Sequence, residues 1–203
     1  MKEDSDMNAD ERIYKNAVEI GKVLCKQKLH LGDVAIDCTM GNGMDTSFLC
    51  ELVGEGGKVY AFDIQEIAIE NTRKRLKDMN LIERAELILD GHQNVDEYVS
   101  EKVKFVIFNL GYLPKGDHTV VTEAKTSLKA IEKCLKLLQK NGVILLILYP
   151  GHESGREEKQ TILEYVSKLS QKEYSVSHLH FMNQVNNPPE LVCIERLIDG
   201  LIR

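Results

Sequence analysis

Three apolar runs of the sequence end on aspartates, and this pattern indicates a binding chemistry. The aspartates are Asp37, Asp63 and Asp90. If the runs are parallel strands of one sheet, the carboxylates meet at a single edge, where they favour a ligand that carries hydroxyls, amines or a positive charge and repel a pyrophosphate. Each carboxylate could instead cap the helix that follows it. Three caps with no other role explain the coincidence less well than a shared ligand does.

Two glycines one residue apart, Gly41 and Gly43, follow the first aspartate. Glycine lets the backbone pass close to a ligand, and a helix that starts there presents its amides. A dinucleotide-binding fingerprint requires Gly or Ala three residues after Gly43, but Thr46 occupies that position. Asp63 lies 20 residues beyond Gly43 (63 − 43), where a carboxylate can accept hydrogen bonds from both ribose hydroxyls of an adenosine. S-adenosylmethionine, with its adenosine, α-amine and sulfonium, therefore fits this pattern better than NAD.

The elements that position these residues alternate from Val34 onward between apolar, β-branched runs and helical patterns. Strands are predicted at 34–38, 58–63, 85–90, 103–110 and 143–149, with a last pair at 174–182 and 189–197. Helices are predicted near 43–53, at 66–79, shortly after 91, up to about 140 and near 156–170. We expect an α/β, Rossmann-like fold: a mostly parallel seven-stranded sheet with helices on both faces and an antiparallel terminal strand.

The 203 residues contain no linker-like segment, which predicts a disordered polar tail at 1–10 and a single domain at 11–203. Apolar residues before the sheet recur at helical spacing and predict an N-terminal helix beside the site. They are Ile13, Ala17, Ile20 and Leu24. The start of the chain lacks a signal peptide, no segment approaches a membrane span, and the five cysteines form no CxxC pair. These features predict a cytoplasmic protein with reduced thiols.

The net charge of −6 argues against a protein that coats nucleic acid indiscriminately, but it permits a local basic patch. Five lysines lie along one stripe of the predicted helix that ends near 140. They are Lys125, Lys129, Lys133, Lys136 and Lys140. Such a stripe is either a solvated helix face, which the pattern favours, or a surface that faces RNA.

Several segments resemble, in this order along the chain, the putative rRNA methylase family of class I methyltransferases, the YtqB/MnmM-like proteins. They are Asp37 to Thr46, Asp63-Ile64-Gln65, Asp90-Gly91-His92, "FNLGYLPKGD", "YPGH" at 149–152 and "NQVNNPPEL" at 183–191. The resemblance implies an S-adenosylmethionine-dependent enzyme that N-methylates the 5-aminomethyl group of the wobble uridine, in the anticodon region of tRNA. The cofactor-binding residues it implies are Asp37, Met40, Gly41, Asn42, Gly43, Asp45, Thr46, Asp63, Ile64, Gln65, Asp90, Gly91, His92 and Asn109.

Three positions depart from the family pattern. Met44 stands where the family tends to have His, Lys115 where it tends to have a second Gly, and Thr39 where methyltransferases in general have Gly. Met44 and Thr39 bear on contact with the cofactor, and Lys115 bears on the substrate loop.

The segment "NLGYLP", which starts at Asn109, follows the fourth predicted strand, where methyltransferases of exocyclic amines commonly carry an Asn/Asp-Pro-Pro-aromatic motif. The Asn109 oxygen and a loop carbonyl could fix the hydrogens of an amine and aim its lone pair. Tyr112 could stack on the target base or pack on the core. An aliphatic amine must also lose a proton, for which Asp117, His118 and His152 are candidates. Asp117 and His118 could equally form a polar turn.

Other features of the sequence leave alternatives open. The histidines and carboxylates show no metal-ligand spacing, so no metal is predicted. The "NQVNNPPEL" loop is either an edge hairpin connection or a wall of the substrate pocket, contributed by Asn183, Asn186 or Asn187. The alternatives to tRNA methylation are methylation of another RNA base, as in rRNA, or of a small-molecule or protein amine, a dinucleotide oxidoreductase, and a scaffold. The edge strands also permit a homodimer.

Overall fold

The fold is built around one seven-stranded sheet. The computed structural model describes residues 15–111 and 122–199, so the predicted tail at 1–10 lies outside the described residues. The strands are β1 (Val34–Asp37), β2 (Lys58–Asp63), β3 (Ala85–Leu89), β4 (Val103–Leu110), β5 (Leu138–Leu148), β6 (Tyr174–Leu179) and β7 (Glu190–Arg196). Their order across the sheet is β3-β2-β1-β4-β5-β7-β6. Strands β1 to β5 run parallel, whereas β7 is antiparallel to both β5 and β6, which confirms the predicted sheet.

Helices cover both faces of this sheet. They are α1 (Ala17–Lys28), α2 (Met44–Val53), α3 (Glu66–Asp78), α4 (Val95–Tyr98), α5 (Ala124–Leu137) and α6 (Glu153–Val166). Alternate residues of each central strand enter two separate cores. On β4, Phe105 packs with residues of α1, α2 and α3, whereas Val106 packs with residues of α4, α5 and α6. The strands are apolar on both faces for this reason, as expected of a covered parallel sheet.

The boundary between α5 and β5 differs from the prediction. The helix ends at Leu137 and not near 140, and the strand begins at Leu138, five residues before the predicted start. The buried guanidinium of Arg196 donates to the carbonyls of Leu135 and Leu138, so the last turn of the helix is satisfied by a side chain that is distant in sequence. Asn141, with a φ of 58°, lies inside β5 near an irregular register with β4. The Asn-Gly pair therefore bends a strand and does not stop a helix.

The predicted N-terminal helix is present as α1, with Asn16 as its N-cap. Its Gly21 lies so close to β5 that an added Cβ would approach Leu145 Cδ2 to 2.9 Å. Helix α1 packs on β5 and β7, and none of its residues borders the cavity described below. The five cysteines are free. Within residues 15–111 and 122–199, no helix is long and apolar enough to cross a lipid bilayer.

Candidate active site

A cavity of about 540 Å³ opens at the carboxyl edge of the parallel strands, where β1 to β5 end. Eleven of the fourteen predicted cofactor-binding residues line it: Met40, Gly41, Asn42, Asp45, Asp63, Ile64, Gln65, Asp90, Gly91, His92 and Asn109. The other lining residues are Cys38, Thr39, Met44, Phe62, Gln93, Gly111, Thr122, Glu123, Thr126 and Tyr149. The parallel topology thus brings most of the sequence-predicted residues together at one place, as expected for a ligand site in an open α/β sheet.

The glycine loop between β1 and α2 is held from behind by α3. Thr72 Oγ1 donates to the carbonyl of Gly41, and Arg75 Nε donates to the carbonyl of Asn42. Gly43 has a φ of 75°, and an added Cβ would come within 3.0 Å of the Thr72 backbone. Gly43 does not line the cavity, and the absence of a side chain there leaves room for Thr72 to pack against the loop. Gly41, by contrast, forms part of the cavity wall.

Asp63, at the end of β2, links the glycine loop to the start of α3. Its Oδ2 accepts a hydrogen bond from the amide of Gly41 at 2.9 Å, and its Oδ1 accepts one from the amide of Gln65 at 2.9 Å. A carboxylate offers about four acceptor positions, so two amide bonds leave capacity for further donors. Because Asp63 also lines the cavity, its remaining lone pairs suit the vicinal hydroxyls of a ribose.

Asp37 lies behind the cavity and not in it. Its side chain is fully buried, Oδ2 accepts from Thr46 Oγ1 at 2.7 Å, and Oδ1 accepts from the amide of Thr39 at 3.1 Å. Neither Asp37 nor Thr46 lines the cavity. Burial, and then the charge of Asp45, raises the pKa of Asp37 to about 7. These contacts indicate that Asp37 and Thr46 fix the turn from β1 into α2, which carries the cavity residues.

The raised pKa of Asp37 predicts a pH-dependent stability. The folded chain binds a proton here up to about pH 7, whereas an unfolded aspartate loses it near 3.8. The stabilisation is therefore complete below the unfolded pKa and is lost as the pH rises through the folded pKa. Relative to wild type, Asp37→Asn should gain about 2–4 kcal/mol in the free energy of unfolding between pH 4 and pH 8.

Urea denaturation of both proteins at several pH values measures this difference. Asp78→Asn, at the exposed carboxylate that ends α3, is the matched control, and its difference from wild type is subtracted at each pH. A difference for Asp37→Asn that stays constant with pH would contradict the prediction.

Asp90 and His92, which follow β3, have different environments at the cavity. Both oxygens of Asp90 are engaged by neighbours, because the amide of Gly91, the side chain of Asn94 and the hydroxyl of Tyr98 all donate to them. His92 is buried, its Nδ1 lies 2.9 Å from the carbonyl of Cys38, and burial lowers its pKa.

The ring of His92 is therefore neutral, with its proton on Nδ1, so Nε2 is an acceptor. Within the part of the chain that the structure describes, this buried Nε2 has no hydrogen-bond partner, and His92 lines the cavity. A buried acceptor at a cavity wall suits a ligand donor such as an exocyclic amine. The hydrogen-bond acceptors of Asp63 and His92 thus fit an adenosine-containing cofactor, which offers ribose hydroxyls and an amine as donors.

Asn109 stands at the end of β4 with its amide group oriented by two contacts. Its Nδ2 donates to Asp45 Oδ2 at 3.0 Å, and its backbone amide donates to Thr39 Oγ1 at 2.7 Å. Since the side-chain nitrogen is engaged by a carboxylate, the side-chain oxygen remains as an acceptor at the cavity wall. Thr39, where the general fingerprint has Gly, thereby contributes an acceptor that Gly could not supply.

The wall next to Asn109 contains residues that the sequence reasoning missed. Tyr149, which follows β5, lies against Gly111, and the start of α5 adds Thr122, Glu123 and Thr126. Burial, and then the charge of Asp45, raises the pKa of Tyr149. The rule that strand ends meet at one edge could have identified Tyr149, because it is the last residue of the fifth predicted strand. Nothing in the sequence located the start of α5.

Two of the four predicted catalytic residues, Asn109 and His152, lie within the described residues. Tyr112 and Asp117 lie outside them, as do His118 and Lys115. His152 is the N-cap of α6, where its Nδ1 accepts a hydrogen bond from the amide of Gly155, and it does not line the cavity. The asparagines of the 183–191 loop are exposed and do not line it either.

The predicted lysine stripe contacts the protein at its later members. Lys133 on α5 pairs with Asp96, and Lys140, which lies on β5 and not on the helix, is 3.8 Å from Asp199. Lys125 and Lys129 are exposed on the first two turns, next to the residues of α5 that line the cavity. The stripe is thus a solvated, partly ion-paired face whose first two lysines, Lys125 and Lys129, lie beside the cavity-lining start of α5.

Comparisons with known proteins show which family this chain resembles. A family model described as "Putative rRNA methylase" matches residues 59–195. A tRNA (mnm(5)s(2)U34)-methyltransferase, chloroplastic, from Arabidopsis thaliana is 35% identical over 183 residues, which are 84% of this chain. The match spans 66% of that relative, just under two thirds of its length. A solved "putative rRNA-methylase" from Clostridium thermocellum is 48% identical, with a TM-score of 0.89 over 90% of this chain and 98% of its own. A "putative methyltransferase" from Streptococcus mutans, in complex with SAH, is 41% identical, with a TM-score of 0.83 over 90% and 99%.

The fold and the cavity define a class I methyltransferase that depends on S-adenosylmethionine. Within that class, the chain belongs to the putative rRNA methylase family, as its sequence motifs predicted.

Proposed function

We propose that this protein transfers a methyl group from S-adenosylmethionine to the 5-aminomethyl group of the wobble uridine, in the anticodon region of tRNA. The observation that carries the proposal is the orientation of Asn109. Its side-chain nitrogen is held by Asp45, which leaves its oxygen as an acceptor at the cavity wall, as an amine nucleophile requires. The printed name of the Arabidopsis relative, a tRNA methyltransferase of a modified uridine at position 34, supports the choice of substrate.

In this proposal, the half of the cavity at β1, β2 and β3 holds the cofactor. When bound, S-adenosylmethionine supplies an electrophilic methyl group on a sulfonium. The Asp63 carboxylate accepts from the ribose, and His92 Nε2 accepts from the adenine amine. Asp37, Gly43 and Thr46 act from behind by fixing the loop that carries Gly41 and its neighbours.

The other half, at β4 and β5, receives the amine and the base that carries it. The Asn109 side-chain oxygen accepts a hydrogen bond from the amine and so directs the lone pair of the amine into the cavity. A well-oriented encounter supplies about 7–11 kcal/mol of a barrier. Tyr149 is an aromatic residue in the described part of this wall, and base stacking on such a ring contributes about 1–3 kcal/mol. The further roles proposed for Tyr112, in stacking, and for Asp117 and His152, in proton removal, rest on the sequence.

Methyl transfer from labelled S-adenosylmethionine to tRNA tests the proposal. We expect label in tRNA whose wobble uridine carries an aminomethyl group, no label in tRNA that lacks it, and a methylaminomethyl nucleoside after digestion. Ribosomal RNA and small amines serve as parallel acceptors, because the family description names rRNA and the net charge is −6. Label in either of these and none in tRNA would replace the proposed substrate with that acceptor.

The exposed lysines near the cavity predict how tRNA affinity responds to charge. If each lysine contacts one phosphate, Lys125→Glu together with Lys129→Glu should raise the KM for tRNA about tenfold at low salt and reduce the slope of log affinity against log salt by about 2. The affinity for S-adenosylmethionine should stay within about twofold. Lys168→Glu, at an exposed position beyond the end of α6, is the control. An equal rise in KM for this control would contradict a local contact.

We also propose that residues 11–203 act as a single catalytic domain in the cytoplasm. Strand β6 is an edge strand of the described sheet, so a homodimer through that edge is part of the proposal. Sedimentation at two protein concentrations measures the oligomeric state, and a monomer at both would remove the dimer from it.

A further inference from the structure

A buried carboxylate on α6 has no role in the chemistry above. Glu158 is only 3% exposed, and its two oxygens accept hydrogen bonds from two hydroxyls: Thr122 Oγ1 donates to Oε2 at 2.7 Å, and Ser127 Oγ donates to Oε1 at 2.6 Å. No lysine or arginine in the described residues forms an ion pair with it. A buried acid held by neutral donors is costly compared with an apolar side chain, so its contacts need a reason beyond packing.

The contacts of Glu158 converge on the wall that faces Asn109. Thr122 lines the cavity, and its backbone amide donates to the carbonyl of Gly111 at 3.0 Å. Gly111 also lines the cavity, two residues after Asn109, and lies against the ring of Tyr149. Glu158 is therefore connected through Thr122 to the end of β4.

The second oxygen of Glu158 anchors it to the body of α5. Ser127 is fully buried on that helix, and its amide donates to the carbonyl of Glu123. The charged or titratable groups that influence Glu158 are His152, at the start of α6, and Glu123, at the start of α5. The carboxylate thus joins α6 to α5 and, through Thr122, to the end of β4, beside the part of the cavity wall that Thr122 and Gly111 line.

We infer that Glu158 is a positioning residue for the acceptor: through Thr122 it holds the start of α5 against the end of β4 and so sets the distance between that wall and Asn109. This inference rests on the proposed function, because the wall is the one assigned to the amine and its base. Asp63 and His92 belong to the opposite half of the cavity, so cofactor affinity should be independent of Glu158.

The test compares Glu158→Ala and Glu158→Gln with Thr122→Val and with Ile162→Val. Ile162 is fully buried one turn further along α6 and makes none of these contacts, so its variant controls for loss of stability alone. Glu158→Ala should lower kcat on aminomethyl tRNA about 30-fold, since small misplacements of reacting groups can cost up to about 100-fold. Glu158→Gln should restore part of that loss, because the two hydroxyls can also accept hydrogen bonds.

Two further readouts separate positioning from stability. The double variant Glu158→Gln with Thr122→Val should be no slower than Thr122→Val alone, because both act through one contact. The rate of hydrogen exchange of the Thr122 backbone amide with solvent, measured by NMR, should rise in Glu158→Gln and should not rise in Ile162→Val. The dissociation constant for S-adenosylmethionine should stay within about twofold in all of these variants, as expected for sites that share no contacts.

Several outcomes would overturn the inference: an unchanged Thr122 amide, an equal loss of kcat in Ile162→Val, additive losses in the double variant, or full kcat in Glu158→Gln and Thr122→Val. If the wild type methylates no tRNA, the proposed function fails by itself. In that case the Thr122 exchange rates still decide whether Glu158 holds this wall. If Glu158→Ala does not fold, Glu158→Gln and Thr122→Val carry the same comparison.

Discussion

Asp63→Ala should weaken the binding of S-adenosylmethionine by about 100-fold or more. Hydrogen bonds to a charged group contribute about 1.5–3 kcal/mol each, and the loss of two ribose contacts at the lower value already amounts to about 3 kcal/mol. Each 1.4 kcal/mol corresponds to about a tenfold change in the dissociation constant. The substitution also releases the amides of Gly41 and Gln65, which Asp63 holds at 2.9 Å, so the glycine loop loses its link to β2.

Isothermal titration calorimetry with S-adenosylmethionine and with SAH measures this effect. Glu66→Ala is the matched control, because Glu66 is an exposed carboxylate at the start of α3 that does not line the cavity, and its affinity should stay within about twofold of wild type. Thermal unfolding shows whether the Asp63 variant is folded. A folded Asp63→Ala protein that binds the cofactor within about threefold of wild type would remove the ribose assignment. Such a small change corresponds to less than about 1.4 kcal/mol, well below the value expected for two lost hydrogen bonds.

The sequence predicted the sheet and most of the cavity because both depend on local patterns. Asp63 and Asp90 each stand at the carboxyl end of an apolar strand that the sequence predicts. Because these strands are parallel, their carboxyl ends lie together at one edge of the sheet, where the cavity opens. The same logic extends to Asn109 at the end of β4. These positions needed only the pattern of apolar strands and the parallel sheet that their alternation with helices predicts.

Where prediction failed, the deciding contacts come from residues that are distant in sequence. Arg196 ends α5 from the other end of the chain, so the Asn-Gly signal near 141 was misread. Asp37 and Asp63 have similar places in the sequence, yet one is fully buried behind Thr46 and the other lines the cavity. Side-chain burial depends on how α2 lies on the sheet, and the sequence pattern alone does not specify that.

Asn109→Ala should lower kcat for methyl transfer by about 100-fold or more while the affinity for S-adenosylmethionine changes by about threefold or less. The amide oxygen would orient the acceptor amine and makes no contact that the cofactor half of the cavity needs. Because the lost interaction matters most when the lone pair is aligned for attack, the loss should appear in kcat and not only in KM. Single-turnover kinetics on aminomethyl tRNA, with cofactor affinity measured in parallel, separate the two effects.

Asp45 offers an independent check on this role, since its carboxylate holds the Asn109 side-chain nitrogen at 3.0 Å and so decides which way the oxygen points. Asp45→Asn allows the Asn109 amide to turn over, which should cost about tenfold in kcat, less than removal of Asn109. If Asp45 acts through Asn109, the double variant should be no slower than Asn109→Ala alone. Losses that multiply in the double variant would show that Asp45 acts on the reaction separately. Full activity of Asn109→Ala would transfer the acceptor role to another group of the same wall.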